Sequence, residues 1–425
     1  VTPIRTIDPA AGPIDASVRP PGSKSQTIRA LVVSALAEGV SVLRGPLEAD
    51  DTRAGRDALR LLGVDIADSG DPWQVSGSGG RLRASTVPVD VGASGLTARS
   101  MIAIASLVEG TTTVVGRDRL PERPMGGLVD ALNTLGVKAA SVDGHLPVTV
   151  DGDGALPGGT VTVASHETSQ FASALLMVAA LAQDELVVIP DGLVGSKRYL
   201  QITVGMMEAF DAVVESVGPR YRVEPGGYKG ADVAIEPDAS AAVYPMVAAA
   251  ITGGRMTIEG LGSESLQPDL EIARVLEQMG CVVRQTGHET TVEATPDGLH
   301  PIDVDLSGSP DGSLAIAVAA LFADGPSRLR GLGSLRHKES DRLAALATEM
   351  TRLGADVTVD RDELHITPGI LHPARVQSYG DHRVAMSFAV AGLRVRGIEI
   401  ADPGVVAKTW PAYWEMLSGI AQSIA

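Results

Sequence analysis

With a single cysteine in 425 residues, Cys281, the chain cannot form an internal disulfide. That thiol stands in the apolar stretch Met279-Gly280-Cys281-Val282-Val283, a setting for a buried structural residue rather than a nucleophile. Aromatic residues are scarce, at 3%, which leaves few platforms for stacking the bases of a single strand. Basic charge is short as well: a formal net charge of −17 removes the electrostatic basis for holding a nucleic-acid backbone. The longest nearly apolar run, 171–182, is too short to span a bilayer, and Asp8 and Asp15 interrupt the region where a signal peptide needs an unbroken apolar segment. These absences predict a cytoplasmic protein with neither nucleic acid nor membrane as partner. Cofactor motifs are missing too. Gly22-Ser23-Lys24-Ser25 lacks the upstream glycine of a P-loop, Gly331-Leu332-Gly333 has no third glycine at dinucleotide spacing, and Asp151-Gly152-Asp153-Gly154 lacks the later ligands of a calcium loop. The eight histidines show no metal-ligand pairing, so no metal or nucleotide cofactor is implied.

What is present is an internal repeat. Six small-residue apolar helix patterns, 26–39, 96–110, 170–184, 241–253, 313–325 and 383–397, end in Gly or Asp about 70 residues apart. A second series of amphipathic patterns alternates with them and ends near Leu62-Gly63, Leu135-Gly136, Phe210-Asp211, Met279-Gly280, Leu353-Gly354 and Ser418-Gly419. Short β-branched strands separate the two series, such as 110–115, 255–258 and 357–359. The first series is apolar enough to be buried on all sides, which favours a two-domain α/β protein of three units each over an elongated solenoid. Pro225-Gly226-Gly227 and Glu236-Pro237-Asp238 lie near the midpoint, where the chain is expected to cross between halves.

Polar residues gather at the starts of the buried helices: Lys24 and Ser25, Gly92 to Gly95, Thr168-Ser169-Gln170, Asp311, and Asp381-His382-Arg383. Ser, Thr and Asp are good caps, but Lys24, Gln170 and Arg383 are not. In Pro21-Gly22-Ser23-Lys24-Ser25-Gln26-Thr27-Ile28-Arg29 the helix N-terminus favours an anion, and Ser25 and Arg29 fall one turn apart on one face. Further cations stand between the helices, in Glu122-Arg123-Pro124, Ser196-Lys197-Arg198-Tyr199, Lys338-Glu339-Ser340-Asp341-Arg342 and Lys408-Thr409. The spacing puts Lys338 and Arg342 on one helix face, with Glu339 about a hundred degrees round from Lys338.

Together these runs resemble the enolpyruvyl transferases, and most closely those that join phosphoenolpyruvate to shikimate 3-phosphate. The resemblance rests on Pro21 to Arg29, Leu128-Val129-Asp130-Ala131-Leu132 after Arg123, Ser169-Gln170-Phe171, Lys338 to Leu343, Asp381-His382-Arg383 and Ala407-Lys408-Thr409. It implies an enolpyruvyl transferase fold of six βαβαββ units, three per domain. One domain would be 1–22 with 237–425, the other 23–236, with the active site in the cleft between them. It also implies a monomer. The resemblance assigns Lys24, Ser25, Arg29, Thr168, Ser169, Gln170, Ser196, Tyr199, Asp311, Ser334 and Lys338 to shikimate 3-phosphate, and Lys24, Gly95, Arg123, Gln170, Arg342, Arg383 and Lys408 to phosphoenolpyruvate. Asp311 would take the proton of the attacking 5-hydroxyl, and Glu339 or Lys24 would supply and later remove the methyl proton.

The departures from the family pattern are local. Where members usually read Gly-Asn-Ala-Gly-Thr, followed by Arg and then commonly Pro, this chain has Gly92-Ala93-Ser94-Gly95-Leu96, then Arg99 and Ser100; Ser334 replaces a usual Asn. Leu96 and Ser100 are expected to narrow the space beside Gly95 and weaken inhibitors such as glyphosate. The alternatives left open are a paralogue with another hydroxylated acceptor and a non-catalytic binding protein of the same fold. A relative acting on UDP-N-acetylglucosamine would carry a catalytic Cys that has no counterpart around 117–124.

Overall fold

The computed structural model describes residues 3–192 and 197–424. The chain divides into two compact units, a continuous one of 22–236 and a discontinuous one that joins 1–21 to 237–425. The continuous unit holds α1 (Lys24–Leu36), α2 (Asp50–Leu61), α3 (Gly95–Ile104), α4 (Gly126–Thr134), α5 (Gln170–Ala179) and α6 (Lys197–Glu208). The discontinuous unit holds α7 (Ala239–Thr252), α8 (Ile272–Gln278), α9 (Ser313–Ala320), α10 (Arg342–Leu353), α11 (His382–Gly392) and α12 (Tyr413–Gln422).

Each unit repeats one plan. Strand 159–164 leads through α5 to the parallel strand 186–191; α6 then leads to the hairpin 214–217 and 220–223, which extends the sheet antiparallel. That is the βαβαββ unit, and among the described residues it recurs in five four-stranded sheets. The sixth sheet has three strands, because strand 4–6 from the N-terminal segment pairs with 398–401 where the others have a hairpin. Long-range pairings close each unit: 232–234 lies parallel to 42–44, and 15–18 lies parallel to 255–258.

The odd-numbered helices form the cores. Every residue of α9 and α11 is buried, as are eleven consecutive residues of α1 from Gln26 to Leu36. Burial on all faces explains their composition: Ala, Ser and Gly let neighbouring helices approach, and each fully buried Leu or Ile contributes about 1.5–3 kcal/mol. The helices α1, α3 and α5 pack together in one unit, and α7, α9 and α11 in the other. Their first turns are therefore brought together within each unit.

Five of the six apolar patterns run past the helices they encode. The patterns 26–39, 96–110, 170–184, 313–325 and 383–397 give helices ending at Leu36, Ile104, Ala179, Ala320 and Gly392. The terminal glycines Gly39, Gly110 and Gly397 have φ of 90°, 111° and 84°, a region that L-residues avoid, and they serve turns and strand starts after the helix. Of the residues that end these six patterns, Gly253, at φ 76°, is itself a left-handed cap, of α7.

Candidate active site

In the discontinuous unit the centre of the polar cluster is Arg342, the first residue of α10, whose side chain is 1% exposed. Its Nε donates to Asp381 Oδ2 at 2.7 Å, Nη1 to Asp311 Oδ1 at 2.8 Å, and Nη2 to Glu339 Oε2 at 2.8 Å and Asp381 Oδ1 at 3.2 Å. Asp381 caps α11 by accepting from the Arg383 amide at 2.9 Å and also accepts from Ser340 Oγ at 3.0 Å. Arg383 reaches back from α11 to Asp311 Oδ2 at 2.9 Å and to Tyr244 Oη at 3.4 Å, and Lys338 Nζ lies 3.7 Å from Asp311 Oδ1. Three cations and three carboxylates thus interlock around one guanidinium.

The electrostatics follow from that geometry. Burial alone would raise the Asp311 carboxyl, but Arg383, Lys338 and Arg342 overrule it and hold it well below the usual carboxylate range. Burial likewise opposes the charge of Arg342, and Asp381, Glu339 and Asp311 restore it, raising its affinity for the proton. Burial pushes the Tyr244 hydroxyl up to about 12, against the pull of Arg383, so it stays protonated. Asp311 keeps 20% of its side chain exposed, so the carboxylate is both ionised and reachable.

The expected helix face shared by Lys338 and Arg342 is absent. Residues 333–337 form a 3-10 turn, Lys338 is extended, and Asp341 caps α10 by accepting from the Ala344 amide at 3.1 Å, so the helix begins only at Arg342. The two cations meet at Asp311 from a loop and a helix start instead. Ser334 lies in that 3-10 turn, and Lys408 ends another, Pro403–Lys408.

The continuous unit gathers its cations differently. Arg29, 1% exposed, donates to Ser25 O at 3.0 Å, Ser25 Oγ at 2.5 Å, Thr203 Oγ1 at 2.7 Å, Ser173 Oγ at 3.2 Å and Tyr199 O at 3.4 Å. All five acceptors are neutral, and burial lowers the guanidinium to about 10 despite the favourable influence of Tyr199. An anion nearby would offset that desolvation. Lys24 Nζ lies 3.2 Å from Asp51 Oδ2, at the start of α2. Arg99 donates to Gln170 Oε1 at 2.7 Å, to Gly95 O at 3.2 Å and to Pro124 O at 2.8 Å. A Cβ on Gly95 would stand 2.7 Å from both Arg99 Nη1 and Arg123 Nη1, so only glycine leaves room for these guanidinium groups. Thr168 Oγ1 accepts from the Gln170 amide at 3.2 Å, and the Ser169 carbonyl accepts from Ser173 N at 3.0 Å.

Of the residues singled out in the sequence, Arg342, Arg383, Lys338, Glu339 and Asp311 converge in one unit. Ser25, Arg29 and Tyr199 form one cluster of the other unit, and Gly95, Arg123 and Gln170 a second, around Arg99. Ser196 lies outside the described residues. Sequence reading missed Asp51, Ser173, Thr203, Tyr244 and Asp269. The first is one of the paired acids of Asp50-Asp51-Thr52, which reads as a helix cap, and Ser173 and Thr203 are lone hydroxyls inside helical patterns. Among the described residues no group of three or more His, Cys, Asp or Glu is placed to hold a metal ion, and no helix is long and apolar enough to cross a membrane.

Comparison with known proteins places the chain. The family model for EPSP synthase (3-phosphoshikimate 1-carboxyvinyltransferase) matches residues 9–417. A 3-phosphoshikimate 1-carboxyvinyltransferase of Methanosphaerula palustris is 39% identical over 413 residues, covering 96% of this chain and 97% of the relative. One of Nostoc punctiforme is 40% identical over 408 residues, covering 95% of each. The solved EPSP synthase of Acinetobacter baumannii superposes with a TM-score of 0.81 at 27% identity, covering 99% of this chain and 98% of that one. The enolpyruvyl transferase NikO of Streptomyces tendae, 18% identical with a TM-score of 0.79 and coverage of 99% and 98%, shares the fold. The two-unit α/β architecture is the enolpyruvyl transferase fold, and with the match running from residue 9 to 417 the chain belongs to the EPSP synthase (3-phosphoshikimate 1-carboxyvinyltransferase) family.

Proposed function

We propose that residues of both units serve one reaction, transfer of the enolpyruvyl group of phosphoenolpyruvate to the 5-hydroxyl of shikimate 3-phosphate with release of phosphate. An EPSP synthase performs that step in aromatic amino acid biosynthesis, and this chain is an enzyme of that family. The reading of the site is carried by Asp311, an ionised, reachable carboxylate set between Arg342, Arg383 and Lys338. A base surrounded by cations suits a reaction in which an alcohol is deprotonated beside two anionic substrates. Shikimate 3-phosphate is assigned to Lys24, Ser25, Arg29, Thr168, Ser169, Gln170, Ser196, Tyr199, Asp311, Ser334 and Lys338. Phosphoenolpyruvate is assigned to Lys24, Gly95, Arg123, Gln170, Arg342, Arg383 and Lys408. The hydroxyl adds to C2 as C3 gains a proton, and the tetrahedral adduct then expels phosphate. Glu339, which accepts from Arg342 at 2.8 Å, or Lys24 supplies the methyl proton in the addition and removes it in the elimination. The protein is taken to act as a cytoplasmic monomer.

The test is phosphorus NMR of the purified protein with phosphoenolpyruvate and shikimate 3-phosphate, beside a sample offering UDP-N-acetylglucosamine. Inorganic phosphate and a shifted 3-phosphate resonance of the enolpyruvyl product are expected in the first sample alone; release in the second, or silence in both, overturns the assignment of acceptor.

Leu96 and Ser100 give a second expected result. Both are buried on α3, which begins at Gly95, and Ser100 Oγ has no hydrogen-bond partner in the protein. The changes fall where space is already limited by Arg99 and Arg123. Glyphosate inhibition is expected to be at least about tenfold weaker than in a sensitive relative, and Leu96→Thr with Ser100→Pro should recover most of it. An inhibition constant equal to that of the sensitive enzyme sinks the idea.

A further inference from the structure

Asp269 is a buried carboxyl that the proposed reaction does not use, 1% exposed, in the 3-10 turn Pro268–Glu271. Its Oδ1 accepts from the amide of Gly312, the residue next to Asp311, at 3.2 Å, and its Oδ2 accepts from Ser240 Oγ at the start of α7. The turn is tied on both sides of this carboxyl. Ser309 Oγ donates to Pro268 O at 2.8 Å, and Gln267 accepts from the Ala239 amide at 3.0 Å while donating to Pro237 O at 2.7 Å. Asp269 therefore braces the turn that presents Asp311 against the beginning of α7.

The charges that bear on it come from every neighbouring element. Asp238 acts from the cap of α7, Asp311 from the turn before α9 and Arg383 from α11. Tyr244 of α7 stands beside Arg383, and Glu271 of the same turn pairs with the exposed Arg274 of α8 at 3.5 Å. We propose that Asp269 is a positioning residue for enolpyruvyl transfer, which fixes the Asp311 turn through the Gly312 amide and sets by its charge how strongly Asp311 holds a proton. The proposal rests on Asp311 being the base.

Burial, reinforced by the charge of Asp311, pushes the Asp269 carboxyl up to about 6, against Arg383 and the Ser240 hydrogen bond. Asp269 thus gains its charge as pH rises through that value, and the added negative charge makes Asp311 more basic in the same window. Two like-charged carboxyls so linked titrate as a pair, so a change in one moves the acid limb of the rate profile.

Asp269→Asn keeps the shape and the acceptor for Gly312 N while deleting the charge. Its kcat is expected to fall about 3–10-fold, with the acid limb of kcat displaced downward by about half a pH unit. Ser240→Ala removes the hydrogen bond that favours the ionised form, so its limb should move the other way, upward. Asp269→Ala loses the brace as well and should turn over at least about tenfold more slowly than Asp269→Asn. If Asp269→Ala fails to fold, the opposed shifts of the other two variants carry the test. Acid limbs of Asp269→Asn and Ser240→Ala that both superimpose on the wild type overturn the proposal. An Asp311→Asn control separates the two readings: an active control removes the base itself, whereas an inactive one with unmoved limbs sinks the role of Asp269 alone.

Discussion

An Arg342→Met variant is expected to lose about 3–5 kcal/mol of unfolding free energy, because it strands three buried or half-buried carboxylates that one guanidinium now serves. Its turnover should fall by about 10²–10³-fold or more, the usual cost of removing a preorganised charged donor from developing negative charge. Arg342→Lys separates the two effects. An ammonium keeps the positive charge and should recover a good part of the stability. It cannot present the planar fork that reaches Asp381 through Nε, Asp311 through Nη1 and Glu339 through Nη2, so activity should stay low. Denaturant unfolding with steady-state kinetics on both variants makes the check. A methionine variant as stable as the wild type would mean that the carboxylates are relieved by water or protonation and that Arg342 is no structural hub.

The same cluster shows where the sequence was legible and where it was not. The buried helices could be read because runs such as Ser313 to Ala320 have no polar face, and only an all-round buried helix tolerates that. Their C-terminal ends were placed too late in α1, α3, α5, α9 and α11 because Gly39, Gly110, Asp184, Gly325 and Gly397 read as helix stops, whereas the helices end three to six residues earlier. The closures of both units were invisible: strands of three or four residues such as 232–234 and 15–18 take partners about 190 and 240 residues away, and no local pattern encodes such a pairing. Among site residues Lys24, Gln170 and Arg383 stood out because they are poor caps at helix starts. Asp341 deceived in the opposite direction. Read as one more charge in Lys338 to Arg342, it is the cap at which α10 begins, and Lys338 and Arg342 approach Asp311 from different elements. Ser173 and Thr203 carried no signal, since a hydroxyl inside a buried helix looks the same whether it satisfies a carbonyl or a guanidinium.

Asp311→Asn tests the chemistry most directly, with an expected fall in kcat of about 10²–10⁴-fold, the contribution typical of a general base. The amide keeps the shape but cannot take the hydroxyl proton. In the resting protein Asp311 is a poor base, because Arg383, Lys338 and Arg342 hold its proton affinity down. On the proposed assignment, substrate anions engage those cations and release that hold, so basicity is expected to rise once both substrates are in place. The asparagine variant removes one negative charge from the same cations, and phosphoenolpyruvate binding should therefore be unchanged or tighter while turnover collapses. A loss of both together would point instead to a collapsed cluster. The pH dependence supplies a separate reading. A carboxyl held below its unfolded value adds stability above that value and loses it as pH falls through the folded one. Wild-type stability should drop on acidification below the ordinary carboxylate range, and the Asp311→Asn curve should drop less steeply there. Thermal unfolding across pH, calorimetric titration with phosphoenolpyruvate and steady-state rates decide it: turnover within tenfold of the wild type, or parallel acid limbs of stability, would remove Asp311 from the role of base.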